Sequence, residues 1–147
     1  LPIYKIIEIG HELLQKPIEL LNGVQETLEQ LRDNYKLIVA TKGDLLDQER
    51  KLKSSGLEHY FHHIEIMSDK KISDYQKLLK HLDCQPENFL MLGNSIKSDI
   101  IPVLDLGANA AHVPYFITWT HEQQEHNLRH ENFIQLKEIN EILNFLK

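Results

Sequence analysis

The chain has 147 residues, with 16 basic and 22 acidic side chains and a formal net charge of −6. This length suits one domain with a sizeable core and is too short for two. The acidic balance, without a run of Lys and Arg, argues against nucleic acid and anionic membranes as partners. The one cysteine, Cys84, excludes an internal disulfide and fits a reducing compartment, so we expect a cytoplasmic protein.

The first segment of the chain supports two interpretations. Apolar residues over 3–14 follow a rough helical period, but those over 3–9 also alternate as in a strand. Gly10 weakens the helical interpretation, and Pro17 ends or bends the segment. A clearer amphipathic helix follows Gly23.

Short apolar runs alternate with amphipathic segments along the rest of the chain. The runs predict strands at 36–41, 63–67, 88–93, 110–113 and 133–136. The predicted helices cover 45–54, 73–82, 96–106 and 137–146, and Pro102 should kink or break the third of them. This alternation indicates an α/β fold with a parallel sheet.

Polar side chains follow three of these strands. Thr41 ends the first strand and Lys70 follows the second, while Asn94 and Asp99 follow the third. Carboxyl ends of parallel strands share one edge, where ligands of open α/β sheets bind. A hydroxyl, an ammonium group and two oxygen ligands for Mg²⁺ would together suit a phosphate group.

Each of these residues also has a simpler interpretation. Thr41 is then a strand-end hydroxyl and Lys70 a solvated surface charge. Gly93 turns the chain, and Asn94 or Ser95 caps a helix. Only the joint order of the polar residues favours phosphate chemistry.

Three segments carry a family resemblance. LIVATKGD (37–44), SDKKISDY (68–75) and LMLGNSIKSDIIP (90–102) resemble the second, third and fourth motifs of the haloacid dehalogenase-like (HAD) hydrolase superfamily. The similarity extends over most of the chain. It implies a Rossmann-like three-layer core and a phosphatase-type activity with a helical cap.

The resemblance gives the matching residues roles in phosphate binding. Thr41 resembles the hydroxyl that binds the transferring phosphoryl group, with Lys42 beside it as a further phosphate-binding residue. Lys70 resembles the lysine that steadies nucleophile and phosphate, and the adjacent Lys71 is an alternative.

The same resemblance implies a Mg²⁺ cofactor. Asn94 and Asp99 resemble its two protein ligands. Asn94 departs from the family pattern, because many members have Asp there, and a carboxamide brings no charge to the metal.

The family's first motif has no counterpart in the sequence. It is a central strand ending in Asp-x-Asp, whose first Asp is the nucleophile, and no such pair occurs in these residues. Residues 1–20 resemble instead the end of a cap or linker helix, and 21–147 a partial core domain. We therefore expect the central position of the sheet to be filled by an N-terminal fragment, a partner chain, or residues 3–9 as a strand.

Two functions remain open at this point. The first is a Mg²⁺-dependent phosphatase that acts on a small phosphorylated substrate through an aspartyl-phosphate, with the nucleophile outside this chain. The isolated chain is then inactive. The alternative is a catalytically inactive relative that serves as a binding or regulatory module, which the missing Asp-x-Asp favours.

Overall fold

Among the residues that the structure describes, six parallel strands form one sheet in the spatial order β3-β2-β1-β4-β5-β6. The computed structural model describes residues 6–10, 18–41, 44–67, 69–114 and 130–146. The strands are β1 (Ile6–Gly10), β2 (Lys36–Thr41), β3 (His63–Ile66), β4 (Phe89–Gly93), β5 (Asn109–His112) and β6 (Phe133–Gln135). The predicted α/β class and parallel sheet are confirmed.

Helices cover both faces of the sheet. They are α1 (Ile18–Leu31), α2 (Leu45–Ser55), α3 (Ile72–His81), α4 (Ile101–Asp105) and a final 3₁₀ helix (Ile139–Phe145). Apolar residues of α1, α2 and the 3₁₀ helix pack in one core cluster, and those of α3 and α4 pack in a second. The result is the three-layer arrangement that the family resemblance implies.

Local sequence signals explain where several helices begin and end. Asp44 caps α2, because its side chain accepts a hydrogen bond from the backbone N–H of Asp47. Gly56 ends α2 with a φ of 78°, a conformation that suits glycine. The break predicted at Pro102 is also present, since a π-helical turn (Ile96–Ile100) gives way to α4 there.

The first described segment corrects one prediction. Residues 6–10 form a strand, so the end of a cap or linker helix predicted for 1–20 is wrong over this part. Strand β1 pairs in parallel with both β2 and β4, and its five residues are all buried. The central strand is therefore not missing, and the third of the three expected occupants fills its position.

Tertiary contacts explain why residues 6–10 form a strand. Strands β2 and β4 are apolar and buried, and a gap between them would leave backbone N–H and C=O groups without partners. Ile6, Ile7 and Ile9 are β-branched residues that suit a buried strand. Residues 11–17, which complete the predicted helical stretch, lie outside the described residues.

No helix among the described residues is long and apolar enough to cross a lipid bilayer.

Candidate active site

The carboxyl ends of β2, β3 and β4 lie at one edge of the sheet, because all the strands are parallel. Thr41 is the last residue of β2, and it is buried. Lys70 follows β3, and Asn94 directly follows β4. The predicted placement of these three residues at a common edge is confirmed. Lys42, the further phosphate-binding candidate, lies outside the described residues.

A buried ion pair forms the centre of the site. The Nζ atom of Lys70 lies 2.9 Å from Oδ1 of Asp99, and the two side chains are 2% and 1% exposed. The simpler interpretation of Lys70 as a solvated surface charge is therefore wrong. Lys70 has a φ of 53°, which is uncommon for a residue with a Cβ atom. Such left-handed backbone clusters at functional sites.

The neighbouring lysine has a different environment. The Lys71 side chain is 73% exposed, and its Nζ atom lies 3.9 Å from Oδ2 of Asp69. An exposed pair at this distance contributes little to stability. Of the two lysines that the motif left open, Lys70 is thus the one at the candidate site.

The turn after β4 holds Asp99 in place. The backbone N–H of Ser95 donates to Oδ2 of Asp99 at 3.1 Å, and the backbone N–H of Ser98 donates to Oγ of Ser95 at 3.1 Å. From the other side, the Tyr75 hydroxyl donates to the backbone oxygen of Ser98 at 2.9 Å. Ser95 is therefore the cap that the simpler interpretation expected, and this cap also fixes the carboxylate.

Gly93 allows the close approach of Asp99 to the end of β4. A Cβ atom at position 93 would overlap the Asp99 side chain. We therefore expect Gly93→Ala to displace the Asp99 carboxylate and to lower the free energy of unfolding by about 1–3 kcal/mol.

Urea unfolding of matched variants tests this expectation. Gly23→Ala is the control, because nothing lies within 4 Å of a Cβ atom there and alanine favours the interior of α1. Equal stability of the two variants would contradict the close packing of Gly93 on Asp99.

A second buried carboxylate, that of Glu8, lies near the Lys70–Asp99 ion pair. It is not among the site residues that the sequence pattern predicts. Glu8 on β1 is 0% exposed, and neither side-chain oxygen has a hydrogen-bond partner among the described residues. Burial raises the pKa of Glu8 well above its usual value, Lys70 acts against this rise, and the negative charges of Asp99 and Glu65 add to it. The alternation of residues 3–9 was the available signal, because a strand there buries Glu8.

The oxygen atoms of Asn94 and Asp99 suit a hard cation such as Mg²⁺. No group of three or more His, Cys, Asp or Glu residues that could hold a metal ion occurs in the described ranges. Both Asp99 oxygens already contact protein donors, Lys70 and Ser95. Asn94 and Asp99 therefore fit Mg²⁺ only if water molecules and phosphate oxygens fill its remaining coordination positions. Mg²⁺ in proteins is usually coordinated in this way.

Together, the parallel sheet and the helices on its two faces define a Rossmann-like core with polar groups at its carboxyl edge. The model of the haloacid dehalogenase-like hydrolase family matches residues 3–113. The chain belongs to this family.

Solved structures share this fold. A haloacid dehalogenase-like hydrolase from Xanthomonas campestris is 31% identical, with a TM-score of 0.70, over 87% of this chain and 54% of that protein. The HAD-hydrolase YfnB from Bacillus subtilis, bound to magnesium, is 15% identical, with a TM-score of 0.68, over 86% of this chain and 55% of that one.

One curated protein is similar to part of the chain. The glyceraldehyde 3-phosphate phosphatase of Methanothermobacter thermautotrophicus is 29% identical over 82 residues, which are 52% of this chain and 36% of that protein. The chain thus spans about half the length of the two structural relatives and about a third of this curated relative.

Proposed function

We propose that this chain supplies the phosphate-binding and metal-binding groups of a Mg²⁺-dependent phosphatase that acts on small phosphate monoesters. The observation that supports it most is the buried Lys70–Asp99 pair at the sheet edge that also holds Thr41 and Asn94. The partial similarity to a glyceraldehyde 3-phosphate phosphatase favours a phosphate monoester as substrate.

In this proposal, the phosphate-binding groups have separate tasks. The Thr41 hydroxyl and the backbone N–H groups at the strand ends donate hydrogen bonds to phosphate oxygens. The Lys70 ammonium is a compact positive charge that attracts the phosphate, and Asp99 fixes its position. Asn94 and Asp99 would hold Mg²⁺, which when bound neutralises negative charge on the phosphate.

The reaction also needs a nucleophile, and Glu8 does not supply one in this arrangement. A nucleophile must lie at the carboxyl edge of the sheet to reach the phosphorus atom of the substrate, whereas Glu8 lies in the middle of β1, level with Ile38 and Met91. In our proposal an aspartate from a strand outside these 147 residues attacks phosphorus, the ester P–O bond breaks, and the alcohol of the substrate leaves. The resulting acyl-phosphate is then cleaved by water.

Such a strand would take the central position that β1 holds here. Gly10 of β1 pairs with Ala40 of β2, so a strand in this register ends beside Thr41. Strand β1 is a poor occupant, because it buries the Glu8 carboxylate without a hydrogen bond from any described residue. An apolar strand that ends in Asp-x-Asp would remove this cost and bring a carboxylate to the edge.

A second candidate function is a binding or regulatory module without catalysis. The burial of Glu8, the only acid on β1, favours it, because this strand then presents no nucleophile at the site. The retained Lys70–Asp99 pair opposes it. For either function we propose a cytoplasmic protein without a nucleic-acid or membrane partner.

Binding of inorganic phosphate tests the proposed site without the need for a nucleophile. Titration calorimetry with and without Mg²⁺ should show binding that Mg²⁺ strengthens. Thr41→Val keeps the side-chain shape but removes the hydroxyl, so it should weaken phosphate binding about tenfold.

Lys71→Met is the matched control, since Lys71 is exposed and should leave phosphate affinity unchanged. Phosphate affinity that is the same in wild type and Thr41→Val, or that does not depend on Mg²⁺, would contradict the proposed site.

A further inference from the structure

His112 connects the turn after β4 with the edge strand of the sheet. It is the last residue of β5, level with Gly93 of β4 and with Gln135 of β6. Its side chain is buried, with the ring Nε2 atom 3.0 Å from the backbone oxygen of Asn94. The ring Nδ1 atom lies 3.1 Å from Oε1 of Gln135. His112 is not among the site residues that the sequence pattern predicts.

The Gln135 side chain holds this ring from one side. Its Nε2 atom donates to the backbone oxygen of Leu136 at 2.8 Å and lies 3.5 Å from the backbone oxygen of His112. These contacts orient the carboxamide so that its oxygen faces the ring. The Asn94 carbonyl oxygen and Oε1 of Gln135 can both only accept hydrogen bonds. The ring therefore donates to Asn94 from Nε2, and its Nδ1 contact with Gln135 is a hydrogen bond only in the form of the ring that also carries a proton on Nδ1.

We propose that His112 is a positioning residue that fixes the backbone of Asn94. Asn94 lies between two anchored groups. The Gly93 oxygen accepts from the backbone N–H of Val113 at 2.9 Å, and the Ser95 N–H donates to Asp99. The Asn94 C=O and the Ser95 N–H belong to one peptide group, so His112 holds the carbonyl side of the peptide whose N–H donates to Asp99. Together with the Gly93 anchor on the other side of the Asn94 Cα atom, this contact sets the direction of the Asn94 side chain. That this side chain ligates Mg²⁺ rests on the proposed function, whereas the contact itself does not.

Two substitutions of His112 test its contacts with Gln135 and with Asn94 separately. The amide nitrogen of an asparagine lies near the Nδ1 position of histidine, and that of a glutamine lies near the Nε2 position. His112→Asn should therefore keep a partner for Gln135 and lose the donor to Asn94. His112→Gln should keep the donor to Asn94.

Amide hydrogen exchange measured by NMR reads out the position of the turn independently of activity. We expect exchange at Ser95 to be about tenfold faster in His112→Asn and to stay within about threefold of wild type in His112→Gln. Exchange at Leu90 and Leu92 in β4 should not change in either variant, which reports an intact sheet. Equal exchange at Ser95 in the two variants, or no change in His112→Asn, would overturn the proposal.

A Mg²⁺ titration of the same samples separates this inference from the proposed function. The side-chain amide signal of Asn94 should shift at a higher Mg²⁺ concentration in His112→Asn than in His112→Gln. Faster Ser95 exchange without any Mg²⁺-dependent shift would support the positioning role and contradict Asn94 as a ligand.

If His112→Asn does not fold, Gln135→Leu takes its place, because it removes the anchor of the ring. Slow Ser95 exchange in that variant would overturn the proposal.

Discussion

Replacing Lys70 with methionine should lower the free energy of unfolding by about 3–5 kcal/mol, because the buried Asp99 carboxylate then loses its ion-pair partner. The two side chains are 2% and 1% exposed, so water cannot replace the lost ammonium group. The nearby Glu8 carboxylate loses an attractive charge as well. Methionine has a similar length and an apolar character, so the loss reports charge rather than volume.

Urea unfolding of the purified chain measures this effect, with Lys71→Met as the control. The control removes an adjacent lysine whose side chain is 73% exposed, so its stability should stay within about 0.5 kcal/mol of wild type. A similar stability loss in both variants would contradict the buried pair as the centre of the site.

Replacing Glu8 with leucine should have the opposite effect and raise the free energy of unfolding by about 1–3 kcal/mol at neutral pH. The Glu8 carboxylate is buried in the middle of the sheet, and neither oxygen has a hydrogen-bond partner in the part of the chain that the structure describes. Leucine has a similar volume and would lie beside Ile38 and Met91, the residues level with Glu8. Its gain is offset in part by the lost attraction to Lys70.

The advantage of Glu8→Leu should also depend on pH. Burial raises the pKa of Glu8 in the folded state above the usual value of 4.5, so the folded state holds the proton more tightly than the unfolded state does. The contribution of Glu8 to stability is therefore fully present below pH 4.5 and is lost as pH rises through the folded-state pKa. The stability difference between Glu8→Leu and wild type should grow over this range.

Denaturation of both proteins at a series of pH values measures this difference. Glu8→Gln is the control, because it removes the titration but keeps buried polar atoms, so it should gain less stability than Glu8→Leu. A leucine variant less stable than wild type at every pH would contradict the placement of Glu8 in the core.

Much of the fold follows from hydrophobic patterning. The strand over 36–41 contains the unbroken apolar run 37–40, and its predicted bounds match β2. The predicted helix over 73–82 differs from α3 by one residue at each end, and Tyr75 of α3 is buried in the core. Such elements are fixed by local sequence, because one period dominates each of them.

The first segment could not be decided locally, because its apolar residues fit both a helix and a strand. The outcome depends on β2 and β4, two buried strands that lie far apart in sequence and both require a neighbour. The same is true of the final helix (Ile139–Phe145). Its hydrophobic pattern predicts a helix but does not predict that the helix is 3₁₀.

The candidate site was predicted in its order along the chain but not in its contacts. Parallel strands bring Thr41 and Asn94 to one edge, which follows from the fold class alone. The contact between Lys70 and Asp99 depends on the left-handed backbone of Lys70, and the sequence pattern does not contain that information. His112 was missed because its partners come from the turn after β4 and from β6, and the sequence pattern does not show that these meet.

The phosphatase activity of the isolated chain tests the central claim most directly. With a generic phosphate monoester and Mg²⁺, residues 1–147 should show no turnover, because the proposed phosphate-binding and metal-binding groups lack an accessible nucleophile. An added peptide with an apolar strand that ends in Asp-x-Asp should produce turnover, and Asp99→Ala should remove it. Turnover by the chain alone that Thr41→Ala abolishes would show that these residues already hold a nucleophile, and it would contradict the account.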